Sequence, residues 1–196
     1  MSEVSPTIFF VRHGETAWNA EGRLQGQQDI PLNVLGRAQA EEVAARIRRL
    51  APHFQDLDYV ASPMARTRHT MELMRQTLGL PSDGYRLDAR LKELTFGTWE
   101  GLTWKQVRAQ HPELAAARER DKWGFVPPEG ESYAMLAERV RPAIGELTRD
   151  TVVVAHGGVA RAVLNLFCGV SSKDAPRVDI WQGRVLVVRG RVHSWE

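Results

Sequence analysis

Thr7-Ile8-Phe9-Phe10-Val11-Arg12-His13-Gly14 is the stretch on which the fold turns. Its first five residues are all β-branched or aromatic, and residues 8–11 run apolar without polar alternation. That pattern predicts a strand covered on both faces, as in a parallel sheet between layers of helices. The run stops abruptly at Arg12-His13-Gly14, and two other stretches end in the same way. Residues 57–61 read as a short strand leading into Ser62-Pro63-Met64-Ala65-Arg66, and Thr151–Ala155 leads into His156-Gly157-Gly158. In open α/β sheets, ligands bind at the carboxyl ends of the strands. Two arginines and two histidines are therefore expected to converge on one crevice suited to an anion.

Working outward, Asn33 is a helix cap for a segment reaching about Leu50, with Ala40, Val43, Ile47 and Leu50 at helical spacing. A second helix is expected after Pro63, with Thr67, Met71, Met74 and Leu78 on one face as core. Residues 91–101 read as extended or irregular, followed by a polar helical region broken at His111-Pro112. Ser132 caps the next helix, whose buried face carries Leu136, Val140, Ile144 and Leu147; Pro142 within it predicts a kink or break. Gly157-Gly158 opens a helix to about Cys168. Residues 185–188 and Val192–Trp195, joined through Gly190, form a terminal hairpin. Strands alternating with helices predict an α/β fold with a mainly parallel sheet.

Composition narrows the rest. The chain has 196 residues, 43% of them hydrophobic and 26% charged, which excludes collagen-like, disordered and coiled-coil classes. One domain spanning 1–196 is expected, with about 99–131 as a cap or lid segment. Lys+Arg 26 against Asp+Glu 24 leaves a net charge of +2, too balanced to announce a nucleic-acid partner. A single cysteine, Cys168, allows no intrachain disulfide and favours a reducing compartment. Met1 to Pro6 lacks the basic and apolar regions of a signal peptide, and no apolar run approaches the ~20 residues of a membrane span. A cytoplasmic protein with no membrane partner is expected.

The residues at the strand ends also carry chemistry. A guanidinium donates two parallel hydrogen bonds to two phosphate oxygens. Helices opening after His13 and after Gly157-Gly158 would aim free amides at the same point, and Gly14 and Gly157 let the backbone come close. A neutral imidazole there could attack phosphorus, with the arginines keeping it unprotonated and stabilising the transition state. An acid for the leaving oxygen is still required, and a carboxyl group is the natural type. No His, Asp, Glu or Cys spacing suggests a metal site, so no metal or other cofactor is expected.

The segment Arg12-His13-Gly14-Glu15-Thr16-Ala17-Trp18-Asn19 resembles the signature of the histidine phosphatase superfamily, in its phosphoglycerate mutase-like branch. Further blocks are similar to that family and occur in its order. They include Gly22-Arg23-Leu24-Gln25-Gly26, Leu35-Gly36-Arg37-Ala38-Gln39-Ala40, Ser62-Pro63-Met64-Ala65-Arg66, residues 91–101, Gly130-Glu131-Ser132 and Val154-Ala155-His156-Gly157-Gly158. The resemblance implies a three-layer α/β/α sandwich and metal-independent chemistry through a phosphohistidine. It implies that His13 is the nucleophile and that Arg12, Arg66 and His156 clamp the transferred phosphate. Asn19 and the Gly157 amide would add phosphate contacts, Gln25 and Gly26 would line the substrate side, and Glu93 would be the proton donor. One departure stands out: Thr67 and Met71 replace two alanines that the family often carries after the second arginine, which reads as repacking.

Three functions fit this reading: a phosphomonoesterase, a phosphoglycerate mutase, and an inactive phospho-ligand-binding module. Mutases resemble one another in an arginine-x-tyrosine-glycine run after the catalytic glutamate, and here Glu93 is followed by Leu94-Thr95-Phe96-Gly97. The chain also leaves little room for their longer insertion, and no matched catalytic position is missing. A phosphatase is therefore expected, acting on a small phosphorylated metabolite such as a sugar phosphate, an acid phosphate or an α-ribazole phosphate-like ester. A middle segment lined by Trp104, Trp123 and Phe125 would admit apolar leaving groups. Inward-pointing Lys105, Arg108 or Lys122 would instead favour a second anionic group. The terminal hairpin could present an edge strand to a second copy, so a homodimer is a possible assembly.

Overall fold

The computed structural model describes residues 6–196. The reading of the leader region at Met1 to Ser5 lies outside the described residues. The strands are β1 (Thr7–Arg12), β2 (Asp58–Ala61), β3 (Arg86–Leu87), β4 (Thr151–Ala155), β5 (Val185–Arg189) and β6 (Val192–Trp195). They form one sheet in the order β3-β2-β4-β1-β5-β6. The four strands from β3 to β1 are parallel, while β5 runs antiparallel to β1 and to β6. The sheet is thus mainly parallel with the expected hairpin at one edge. The two-residue β3 at the other edge carries no readable pattern in the sequence.

The helices are α1 (Ala17–Ala20), α2 (Val34–Leu50), α3 (Ala65–Leu78), α4 (Trp104–Gln110), α5 (Pro112–Arg120), α6 (Tyr133–Gly145) and α7 (Gly157–Cys168). Side chains alternate across a strand, so β1 serves two cores at once. Phe9 and Val11 pack with Val43, Ile47, Met71 and Met74 of α2 and α3. Ile8 and Phe10 pack with Leu136, Val140, Val159 and Val163 of α6 and α7. The result is the three-layer α/β/α sandwich, with the methionine stripe of α3 serving as core. No helix among the described residues is long and apolar enough to cross a membrane.

The caps fall where the sequence placed them. Asn33 accepts the Gly36 N–H at 2.8 Å and Ser132 accepts the Met135 N–H at 3.2 Å. Pro142 does not break α6: the helix runs through it and ends at Gly145. The carbonyl that loses its partner belongs to Glu138, which is exposed and open to water. Met71 packs in the core as expected, whereas Thr67 does more than fill space. The Thr67 hydroxyl reaches the Ser62 and Met64 carbonyls at 2.8 and 2.7 Å, tying the loop after β2 to α3. Outside the sandwich, Leu24, Trp99, Val107 and Ala115 form a separate small cluster around α4 and α5.

One contact sets where the loop after β1 lies. Gly14 and Gly36 meet backbone to backbone: a Cβ on Gly36 would lie 2.1 Å from the Glu15 carbonyl oxygen, and one on Gly14 would lie 2.1 Å from the Gly36 oxygen. Around this contact the Asn33 N–H donates to Glu15 O at 2.9 Å, and Gln39 Oε1 accepts the Glu15 N–H at 2.8 Å. Because both neighbours are backbone, neither can swing away. Gly36→Ala is expected to destabilise the protein by about 2 kcal/mol or more. A urea-unfolding midpoint equal to that of the wild type would contradict this reading of the loop.

Candidate active site

The sheet ladder continues one residue beyond its strands. The His13 N–H donates to Ala155 O and the Ser62 N–H to Val154 O, each at 3.0 Å. Residues following β1, β2 and β4 therefore emerge side by side at the carboxyl edge. The Gly14 N–H is held by Thr70 Oγ1 at 3.0 Å, so α3 pins the turn that carries His13. His13 and His156 meet edge to face, 5.3 Å between ring centroids.

Arg66 lies buried between them and settles which nitrogens carry protons. Its Nε–H points at His13 Nε2, 3.2 Å away, and its Nη2 lies 3.3 Å from His156 Nδ1. A guanidinium only donates, so both of these ring nitrogens must be acceptors. His13 then bears its proton on Nδ1, which donates to Gly14 O at 2.8 Å. His156 bears its proton on Nε2, which donates to Ser62 Oγ at 2.8 Å. The remaining Arg66 donors reach Gln28 O at 2.7 Å and Gly26 O at 2.8 Å. Burial pulls the Arg66 guanidinium down to about 10, partly offset by the negative charge of Glu93 and Asp29. Burial first, then the positive charge of Arg66 and Arg12, holds His13 well below the usual imidazole range. His156 is lowered in the same way, by burial and then by Arg66 and His13. Both imidazoles are neutral at pH 7, and His13 Nε2 carries a lone pair.

A cavity of 540 Å³ opens over this cluster. Arg12, His13 and Arg66 are on its wall, as are Asn19, Gln25, Gly26, Glu93 and Gly157. His156 is not on that wall: it is fully buried behind Arg66, with its nitrogens used by Arg66 and Ser62. Arg12 is anchored through Nη1 to Ile180 O at 2.8 Å, while its buried Nε has no partner. Asn19 Oδ1 accepts from Thr16 and from Gln182, leaving its NH2 as the end open to a ligand. Glu93 Oε1 accepts the Leu94 N–H at 2.9 Å, and Oε2 accepts the Gly158 N–H at 3.0 Å. The carboxyl thus sits at the start of α7, where a Cβ on Gly158 would come within 2.3 Å of it.

Two side chains outside the cavity hold these parts in position. Arg139 forms a two-bond pair with Glu131 and donates to the carbonyls of Arg90, Lys92 and Glu93. That explains the Gly130-Glu131-Ser132 block: its carboxylate orients the arginine that clamps the Glu93 segment. Glu100 Oε1 accepts from the Gln27 N–H, the Phe96 N–H and the Thr95 hydroxyl, and Oε2 accepts from the Gln28 amide. It fixes the loop whose carbonyls hold Arg66, so Trp99-Glu100-Gly101 is a structural hub. Trp104, Arg108 and Lys122 line the cavity; Trp123, Phe125 and Lys105 are not among its lining residues. Trp123 instead stacks on Tyr133, and Phe125 on Trp99.

Sequence reasoning missed Arg118, Tyr133 and Arg161 on the cavity wall. Arg161 follows Gly157 by one helical turn, a spacing that could have flagged it. Arg118 and Tyr133 carry no such local signal. Among the described residues, no group of three or more His, Cys, Asp or Glu side chains is arranged to hold a metal ion.

The family model described as the histidine phosphatase superfamily (branch 1) matches residues 8–196. A 6-phosphofructo-2-kinase/fructose-2,6-bisphosphatase of Gallus gallus is 34% identical over 89% of this chain, and the match covers 36% of that protein. The chain therefore spans about a third of the length of the curated relatives it matches. Among solved structures, a mycobacterial glucosyl-3-phosphoglycerate phosphatase in complex with VO3 is 30% identical. It aligns with a TM-score of 0.81 over 97% of this chain and 96% of its own. A putative alpha-ribazole-5'-P phosphatase from Escherichia coli, at 23% identity and TM-score 0.80 over 98% of this chain and 95% of its own, shares the fold.

Two buried neutral imidazoles make stability depend on pH. Each histidine takes up a proton near its ordinary value, ~6.5, when unfolded but resists it when folded. The unfolded state therefore binds more protons as pH falls below about 6.5, and stability is lost toward acid. The slope is at most about 1.4 kcal/mol per pH unit for each histidine. Urea unfolding between pH 5 and 7 is expected to show this fall, with a shallower slope in His156→Asn. An unchanged slope in that variant would contradict the assignment of His156 as buried and neutral.

Proposed function

We propose that this chain, which belongs to the histidine phosphatase superfamily (branch 1), is a metal-independent phosphomonoesterase that works through a phosphohistidine on His13. The observation that carries the reading is the neutral His13 on the wall of a cavity that also holds Arg12, Arg66 and the Glu93 carboxyl. Its one Nε2 lone pair accepts the Arg66 Nε–H here and is freed for attack when that N–H turns to a phosphate oxygen. The phosphatases among the solved relatives support the reaction class. The fructose-2,6-bisphosphatase relatives support it through the part of their length that this chain matches.

The reaction then runs in two balanced steps. His13 Nε2 attacks phosphorus and forms a P–N bond as the P–O bond to the leaving group breaks. Arg12 and Arg66 stabilise the charge on the equatorial oxygens, and Asn19 and the Gly157 amide add hydrogen bonds. Glu93 gives its proton to the departing oxygen. In the second step the Glu93 carboxylate takes a proton from water, the water oxygen attacks phosphorus, and the P–N bond breaks. Inorganic phosphate leaves, and His13 returns neutral with its proton still on Nδ1. His156 acts from behind, holding Arg66 in line; Gln25 and Gly26 face the leaving group. The substrate is a small phosphorylated metabolite, and the protein functions in the cytoplasm without a nucleic-acid or membrane partner.

Phosphate release from a panel of phosphomonoesters in EDTA is expected, and His13→Ala is expected to abolish it with the fold intact by circular dichroism. Isomerisation of 3-phosphoglycerate without phosphate release would overturn the hydrolase in favour of a mutase. Glu93→Gln separates acid catalysis from binding. It is expected to lower kcat/KM for alkyl phosphates by about 10²–10⁴ and for p-nitrophenyl phosphate far less, since a good leaving group needs little protonation. Equal losses on both esters would remove Glu93 as the acid.

A further inference from the structure

Residues 178–183 lead into β5 and pass behind the phosphate site. Their exposure alternates: Asp179 and Trp181 face solvent, whereas Val178, Ile180 and Gln182 are wholly or partly buried. That period of two is the period of an extended chain. Each inward residue ends on a group of the cavity wall. Val178 O accepts the Arg161 Nε–H at 3.0 Å, and Ile180 O accepts from Arg12 Nη1 at 2.8 Å. The Gln182 amide nitrogen donates to His13 O and to Asn19 Oδ1, each at 3.1 Å. The far end of this strap is fixed as well, because Gly183 O accepts the Arg46 Nε–H from α2 at 2.9 Å.

The Gln182 contact differs from the other two because it carries a polarity. A carbonyl only accepts, so the Gln182 atom that faces His13 O is the NH2. The same NH2 meets Asn19 Oδ1, which also takes the N–H and the hydroxyl of Thr16 at 3.2 Å each. An amide whose oxygen is held by three donors does not turn over, so the Asn19 NH2 stays on the cavity side. The Thr16 bonds lie within the first turn of α1, a helix of only four residues, too short to hold its own place. Gln182 ties that turn to the main chain of His13. With the amide reversed, the Asn19 carbonyl oxygen would oppose the phosphoryl oxygens, and a hydrogen bond would become a repulsion.

We propose that Gln182 is a positioning residue for phosphoryl transfer. Its NH2 sets which end of the Asn19 amide meets the phosphoryl group and how far that amide stands from the nucleophile. The inference rests on the phosphomonoesterase reading and adds to it a side chain that never touches substrate: Gln182 is not among the residues lining the cavity. It acts through Asn19, which is. The requirement is for a donor and not for bulk. A carboxylate of the same shape has no proton to offer two acceptors.

The test uses p-nitrophenyl phosphate, whose good leaving group takes the acid step out of the comparison. Gln182→Ala and the isosteric Gln182→Glu are each expected to lower turnover about tenfold at pH 7, mainly through kcat. Inhibition by orthovanadate, a five-coordinate mimic of the transferring phosphoryl group, should weaken by a similar factor. In an Asn19→Ala background the same two substitutions should cost less than about threefold, because their effect passes through Asn19. Wild-type activity in Gln182→Glu would mean that only packing matters there, and equal losses in both backgrounds would mean that Gln182 acts elsewhere. Either result overturns the positioning role while leaving the phosphatase intact. Circular dichroism checks each variant, and Gln182→Glu, taken through both backgrounds, decides the matter if Gln182→Ala does not fold. Absence of phosphate release by the wild-type protein from any phosphomonoester would overturn the phosphatase reading and this inference with it.

Discussion

A single buried guanidinium holds the catalytic end of this protein together. Arg66 touches both histidines and takes the carbonyls of Gly26 and Gln28. Because it can only donate, it forces a lone pair onto His13 Nε2 and onto His156 Nδ1. The second nitrogen of each ring must then find an acceptor, which Gly14 O and Ser62 Oγ provide. Three loops following three different strands are thereby locked to one arginine. Desolvating a charge is costly, and here hydrogen bonds to fixed backbone and ring atoms offset that cost.

The electrostatic consequence is a neutral imidazole, pre-set for the nucleophile's part in the proposed reaction. An imidazole in water near neutral pH spends part of its time protonated, whereas His13 lies under two guanidinium groups and away from solvent. It stays neutral, and in the proposed reaction the same positive charge meets the incoming phosphoryl group. The surrounding structure holds this arrangement rigid. Glu100 fixes the loop that supplies the carbonyls to Arg66, and Arg139 fixes the segment that carries Glu93. Neither side chain lies on the cavity wall.

Much of this was legible in the sequence, for physical reasons. Residues 8–11 are apolar on both faces because β1 lies inside the sheet, and that pattern can be read from one chain. Asn33 and Ser132 cap helices through local hydrogen bonds, so their signals are local too. Arg12, His13, Arg66 and His156 are legible because each lies at or just after the end of a strand. Glu93 was legible only through family resemblance, since nothing in its neighbourhood separates it from an ordinary surface carboxylate. Pro142 does not break its helix because little helix follows it and the orphaned carbonyl belongs to an exposed residue. The roles of Arg139 and Glu100 depend on contacts between distant segments, such as Glu100 with Gln27 or Arg139 with Lys92, and no periodicity encodes those.

The central claim is chemical: phosphorus bonds to one particular nitrogen. Rapid quenching of the protein during turnover of a phosphomonoester, followed by phosphorus–nitrogen correlation NMR on ¹⁵N-histidine-labelled protein, observes that bond directly. The Arg66 geometry requires a single phosphoramidate on His13, attached at Nε2 with the proton retained on Nδ1. Phosphorus on Nδ1, on any other residue, or in no covalent adduct while phosphate is being released would contradict it.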